Sequence, residues 1–302
     1  MAVTFRAYTS EKGFSEDFNR VWEFLVRINQ EKVIDEGFLW GRWEWMFCLK
    51  RYLDQEKLSK IGVWEDENLI VALATYENGL GYVWPIIAPG YEYLYDDILN
   101  HAWENMRKDG SVKVLIDDRN EAFQTVAARN CFLPTQEKEN NSVIPLEEAD
   151  LSYVLPLGYQ VVSLAEEYDL MKYHQALWKG FNHEGEPEEP VEVQIEGRRD
   201  ELSGPHCNIN LKIAVKAPDG SFVAFCGMWY EPGMNYALVE PVATVPAYRK
   251  MGMGKAAVLE GVKRCKELGA KRAYVGSSQQ FYYSIGFRPC STKTWWEKRQ
   301  CK

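Results

Sequence analysis

The stretch Glu240-Pro241-Val242-Ala243-Thr244-Val245-Pro246-Ala247-Tyr248-Arg249-Lys250-Met251-Gly252-Met253-Gly254-Lys255-Ala256-Ala257 is the part of this chain best suited to chemistry. An apolar extended segment ends, a proline turns the chain, and two glycines open a helix. A helix start leaves about four backbone N–H groups unpaired and carries the positive end of the macrodipole. Together these make a ready anion site. Gly252 and Gly254 have no Cβ, so a diphosphate can approach the backbone itself. Arg249, Lys250 and Lys255 add positive charge around that point. The competing reading is an ordinary tight turn.

Two other phosphate cradles share part of this pattern. A Gly-x-x-x-x-Gly-Lys-Ser/Thr loop is excluded, because Arg249 stands at its first position and Ala256 at its last. The dinucleotide fingerprint fits in part, since Gly252–Ala257 matches Gly-x-Gly-x-x-Ala. That fingerprint also needs an acidic residue about 20 positions further on. Val275-Gly276-Ser277-Ser278-Gln279 supplies none, and Pro246–Met251 separate the strand from the first glycine.

The elements that must position this loop follow from hydrophobic spacing. In the second half, strands are expected at 158–164, 208–217, 221–230, 236–245 and 272–275, with Pro218-Asp219-Gly220 as a hairpin turn. Helices are expected at 168–181, 252–268 and 279–285, and 287–298 reads as extended. Val258, Val262, Cys265 and Leu268 give the second helix an apolar face, and Gly269 suits a left-handed cap. The first half repeats this order. It has strands at 5–8, 61–65, 70–76, 81–87 and 112–116, helices at 15–28, 39–52, 94–106 and 121–129, and an extended stretch from Cys131. Pro85 and Pro241, Gly110 and Gly269, and Phe132 and Phe287 recur at a nearly constant offset, the mark of an internal repeat. A chain of 302 residues accommodates two such copies.

Arg249-x-x-Gly252-x-Gly254, preceded by a strand and by Pro246-x-Tyr248, resembles the acetyl-CoA motif of the GNAT N-acetyltransferase superfamily. Phe281-Tyr282-Tyr283-Ser284-Ile285-Gly286-Phe287 resembles that family's Phe-Tyr-x-x-x-Gly-Phe signature. The run from Glu240 to Arg249 is similar to tandem-domain members of mycothiol-synthase-like architecture, though nothing points to mycothiol itself. The resemblance implies an α/β fold of two tandem GNAT-like domains, each a mixed central sheet flanked by helices. Residues 1–150 would be a degenerate domain without a coenzyme site, and 151–302 a catalytic domain binding acetyl-CoA as co-substrate. Val242, Ala243 and Thr244 would offer backbone groups to the pantetheine arm, one N–H polarising the thioester carbonyl. Lys250, Met251, Gly252, Met253, Gly254 and Lys255, with Arg249, would hold the diphosphate. Tyr282 matches the tyrosine that protonates the departing thiolate, with Tyr283 beside it. The acceptor amine arrives as an ammonium and needs a base, and Glu240, at the open end of the central strand, is the candidate. One departure is Val275, where many relatives carry an Asn. The implied reaction is acetyl transfer to a primary amine of a small molecule by direct attack in a ternary complex. The alternative is an acyl-CoA-binding sensor without turnover.

The remaining residues bound the partners. In the first half, Pro89-Gly90-Tyr91-Glu92-Tyr93-Leu94-Tyr95-Asp96-Asp97 stands where the second half has its glycine loop, and its bulk and acidity oppose a diphosphate. The acidic run from His183 to Glu196 borders the acceptor side in this fold family and suits a cationic amine; its competing reading is a solvated loop. A net charge of −9 argues against nucleic acid as a partner. No apolar run reaches the roughly 20 residues that span a bilayer, and the N-terminus lacks the regions of a signal peptide. A cytoplasmic protein, with no membrane partner, is the expectation. The seven cysteines contain no Cys-x-x-Cys pair, and the four histidines have no ligand spacing, so no metal is expected. Trp40-Gly41-Arg42-Trp43-Glu44-Trp45-Met46-Phe47 and His174 read as helix packing.

Overall fold

The computed structural model describes residues 3–185 and 189–300. It divides into two compact α/β units: residues up to Asn141 together with those from Cys290, and Ser142–Pro289.

The first unit begins with β1 (Thr4–Ala7), α1 (Glu16–Asn29) and α2 (Trp40–Cys48), followed by β2 (Gly62–Asp66), β3 (Leu69–Thr75) and β4 (Tyr82–Ile87). It continues through α3 (Tyr95–Asn105), β5 (Ser111–Asp117) and α4 (Glu121–Arg129) into β6 (Leu133–Pro145). Ser15 caps α1 by accepting from Phe18 N at 3.2 Å, and Asn120 caps α4 by accepting from Phe123 N at 2.9 Å. The aromatic residues of α2 are core, as their spacing suggested. Trp40, Trp43 and Phe47 are fully buried, and the Trp43 indole donates to Phe18 O at 3.2 Å. Strands β1 to β5 lie in sequence order, antiparallel except for the parallel β4–β5 pair.

The second unit contains β7 (Gln160–Ser163), α5 (Leu170–Gly180), α6 (Val191–Glu201), β8 (Lys212–Lys216) and β9 (Phe222–Trp229). Then come β10 (Tyr236–Thr244), α7 (Met253–Glu267), β11 (Arg272–Val275) and α8 (Gln280–Ser284), and the chain ends in β12 (Arg288–Arg299). Its sheet runs β7-β8-β9-β10-β11 with only β10–β11 parallel. Helix α5 lays Tyr173, Ala176 and Leu177 against Ala214, Phe225 and Ala243, and α7 covers β9 through Gly261, whose missing Cβ leaves room for Met228. Gly269 ends this helix region with φ of 116°, the left-handed cap expected.

The division differs from the expected cut at residue 150. Lys293–Arg299 of the last strand pair antiparallel with Ser111–Asp117 and so complete the first sheet. Ser142–Pro145 pair antiparallel with Arg272–Val275 and complete the second. Each sheet takes its closing strand from the other half of the sequence, which a search for two consecutive copies does not reveal.

Two further differences concern helices. The solvated-loop reading does not hold for the whole acidic run after His183, because Glu192 and Glu196 lie on α6. Glu186, Pro187 and Glu188 of that run lie outside the described residues. Helix α2 stops at Cys48 rather than Tyr52 because Leu49 leaves the helical region, with φ −82° and ψ 56°.

The contact of α5 with β10 is close. A Cβ on Gly180 would lie 2.7 Å from Ala243 Cβ and 3.1 Å from the Thr244 backbone nitrogen. Gly180→Ala gains up to about 1 kcal/mol of helix propensity but must move backbone, at about 1–3 kcal/mol. The expected outcome is a lower urea midpoint; an equal or higher midpoint would mean that helix and strand do not touch so closely.

Candidate active site

The site begins with a register change in β10. Leu238 and Val239 face Trp229 and Met228, whereas Val242, Ala243 and Thr244 face Cys226, Phe225 and Ala224. One extra residue therefore enters β10 at Glu240-Pro241, a β-bulge. Gly227 makes room for it: a Cβ there would sit 2.4 Å from Glu240 O and 2.8 Å from Pro241 Cδ. The Trp229 indole N–H donates to the same Glu240 carbonyl at 2.9 Å.

The bulge decides which way the following backbone groups point. Val245 N donates to Val223 O at 3.0 Å, so Val245 and, two residues earlier, Ala243 turn their hydrogen-bonding groups to β9. Val242 and Thr244 alternate with them and turn theirs to the opposite edge. The parallel pairing with β11 ends there at Leu238–Tyr274. The two strands separate beyond this pair, and the Val242 N–H and C=O face the opening.

At the end of β10, a short 3-10 turn (Pro246–Tyr248) leads to α7. Lys250 and Gly252 both adopt left-handed backbone, φ 62° and 88°. The second of these positions favours glycine on conformational grounds. Gly254 is needed for a different reason: its Cβ would fall 2.7 Å from Thr244 Oγ1 and 3.4 Å from the Phe281 ring. The first turn of α7 thus rests directly on the end of β10 and on α8, with its N–H groups unpaired within the helix. Lys250, Met251 and Lys255 are exposed around it, and Met253 is buried. Arg249 is placed otherwise than its sequence neighbours. Its guanidinium donates to Thr244 O at 3.0 Å, Gly180 O at 2.9 Å and Asn182 Oδ1 at 2.6 Å, and so ties the loop to the end of α5.

Tyr282 lies on α8, buried between Phe281 and Phe287, with ring centroids 5.0 and 5.6 Å away. Burial raises its phenol well above the ordinary value, and the Cys226 thiol and Glu240 carboxyl add to the rise. Glu240 is half-buried at the bulge. Glu240, Val242 and Thr244 thus follow one another along the end of β10, Gly254 rests on Thr244 Oγ1 and on Phe281, and Tyr282 follows Phe281 on α8, while Ala243 faces α5. Gly227, Trp229 and Cys226 were not singled out from the sequence. Gly227 carried a usable signal, since glycine inside a strand marks a bulge or a close approach.

The first unit offers an internal comparison. Phe132 N donates to Ala127 O at 3.0 Å just as Phe287 N donates to Tyr282 O at 3.0 Å, so Ala127 occupies the position of the tyrosine. Strand β4 pairs with β3 in unbroken register from Trp84 to Ile87, through Pro85, and no residue is inserted.

Residues 170–287 match the acetyltransferase (GNAT) family model. No curated protein matches the chain. Among solved structures, a tandem GNAT protein from the clavulanic acid biosynthesis pathway, determined without AcCoA, has a TM-score of 0.62 at 11% identity over 99% of this chain and 98% of its own. A GCN5-related N-acetyltransferase from Sphaerobacter thermophilus gives 0.56 at 13% identity over 98% and 95%. A GNAT-family acetyltransferase from Colwellia psychrerythraea gives 0.56 at 9% over 99% and 100%. At these identities the likeness is one of fold, and it extends over both units.

The buried phenol has a measurable signature. Tyr282 keeps its proton in the folded chain above the pH near 10 at which an unfolded tyrosine loses it. The stability this gives is complete below about pH 10 and drains away as pH rises toward the folded value. Tyr282→Phe should remove about 1.4 kcal/mol per pH unit from the slope of the alkaline limb of the denaturation free energy. A limb as steep as that of the parent would place the phenol in water.

Proposed function

We propose, for a chain whose residues 170–287 match the GNAT family model and whose fold is that of tandem GNAT proteins, that its second unit transfers an acetyl group from acetyl-CoA to the primary amine of a small molecule. GNAT membership supports acyl transfer from acyl-CoA in general terms. The single observation carrying the finer reading is the bulge at Glu240-Pro241, which turns the Val242 amide away from β9 and toward the gap where β10 and β11 part.

The residues suit the coenzyme. The α7 N-terminus presents unpaired N–H groups where Gly252 and Gly254 carry no side chain, and Lys250 and Lys255 stand exposed beside it. Those groups would hold the diphosphate, and the outward backbone of Val242 and Thr244 would hold the pantetheine arm as an added strand does. The bound coenzyme supplies the activated acyl group. The Val242 N–H donates to negative charge developing on the acyl oxygen, from a backbone fixed beforehand, so little reorganisation is needed. Glu240 takes a proton from the incoming ammonium and frees the lone pair that attacks. Tyr282, kept protonated by its burial, gives its proton to the leaving sulfur. The acidic residues at and after His183, including Glu192 and Glu196, favour a cationic acceptor. The first unit, with Ala127 in place of the tyrosine and no bulge between β3 and β4, serves as a partner without coenzyme chemistry of its own.

Acetyl-CoA at 100 times its Kd should stabilise the protein by about 2.7 kcal/mol, whereas NAD should leave its melting temperature unchanged. Stabilisation by NAD instead would overturn the assignment. With an amine panel and thiol-release detection, Tyr282→Phe and Glu240→Gln should each lower turnover by about 100-fold or more while coenzyme affinity stays within about threefold. Acetyl-CoA binding without thiol release from any amine would identify a sensor.

A further inference from the structure

The bulge is clamped from the β9 side by an arrangement that the proposed chemistry leaves unused. Lys212 is 1% exposed, on the strand next to β9. Its ammonium donates to Met228 O at 3.1 Å and lies 3.6 Å from the centroid of the Trp229 ring. A charge this deep is held only where other groups replace water, and here a carbonyl and an aromatic face do so. The same indole donates its N–H to Glu240 O at 2.9 Å. A cation over the ring draws electron density from the indole and makes that N–H a stronger donor. Gly227 opens the space through which the carbonyl reaches it.

We infer that Trp229, backed by Lys212, is a positioning residue for acyl transfer, holding the Glu240 carbonyl against β9 so that the Val242 amide two residues on keeps its direction into the opening. Glu240 O and Val242 N belong to consecutive peptide planes joined through Pro241, whose ring fixes φ near −65°. With one plane anchored on the indole and the ladder resuming at Ala243–Phe225, the plane between them has little freedom left. Lose the anchor, and the inserted residue can spread its slack over Val239–Val242. The diphosphate cradle lies on α7 and does not depend on this anchor, so catalysis and binding should separate. The inference rests on the proposed function for its catalytic consequence, but the clamp itself is a property of the ligand-free protein.

Trp229→Phe keeps the ring under the lysine and deletes the donor; Lys212→Met keeps the apolar stem and deletes the charge. In ligand-free protein, hydrogen exchange of the segment 239–245 should become several-fold faster in Trp229→Phe, and to a smaller extent in Lys212→Met. Thiol release should fall about tenfold in Trp229→Phe, with the Kd for acetyl-CoA, by calorimetry, within about threefold of the parent. Unchanged exchange in both variants overturns the inference. So does a matched loss of turnover and affinity in both, the result of general loosening rather than positioning. Should the parent protein bind no acetyl-CoA, the proposed function fails, and the exchange measurement alone decides whether the clamp exists.

Discussion

An antiparallel ladder allows each residue to face one neighbour only, and the opening in the second unit depends on that alternation. Val242 turns both its backbone groups away from β9, and Thr244 its N–H, because Ala243 and Val245 are committed to that strand; the Thr244 carbonyl is taken by Arg249. Inserting one residue at Glu240-Pro241 sets the phase of this alternation beyond the bulge, at the point where the partner on the other side has left. In the first unit the corresponding strand keeps an unbroken register. These two corresponding strands therefore differ by a single inserted residue, which a glycine on the neighbouring strand admits.

Electrostatics follows the same economy. The chain is acidic overall, at −9, and the proposed anion cradle would consist of a helix terminus and two exposed lysines rather than a basic surface. Arg249, the cation nearest the turn in sequence, instead satisfies carbonyls at the ends of β10 and α5. An arginine can take that role because its planar fork reaches several acceptors at once. The lysines, with one compact charge each, remain in solvent where they can turn toward a phosphate.

Much of this was legible in the sequence because the signals were periodic or conformational. The order of strands and helices came from apolar spacing. The repeat came from landmarks that the fold explains: Gly110 and Gly269 both need left-handed backbone, and Phe132 and Phe287 each close a short helix through the same 3.0 Å hydrogen bond. Gly252 and Gly254 stand at the start of α7 as their spacing suggested, though each is glycine for its own reason. Other features left no such trace. Helix α6 buries Gln194 and Glu201 instead of an apolar stripe, so no 3.6-residue period announces it. Pro85 and Pro241 mark equivalent strands, yet only the second sits in a bulge, and that is decided by Gly227 on the neighbouring strand. The burial of Tyr282 and the turn of Arg249 away from the cradle are tertiary facts, set by residues distant in the chain.

The exchange of closing strands bears on how the chain is made. Synthesis runs from the N-terminus, and Ser111–Asp117 must wait for Lys293–Arg299, which follow much later in the chain. Until then the first sheet has an open edge, the kind of surface to which other chains can add. A fragment ending near the apparent midpoint would carry the same exposed edge permanently, and a fragment starting there would lack Ser142–Pro145, the strand that flanks β11. Although the sequence reads as two successive copies, neither sheet is complete until both have been made.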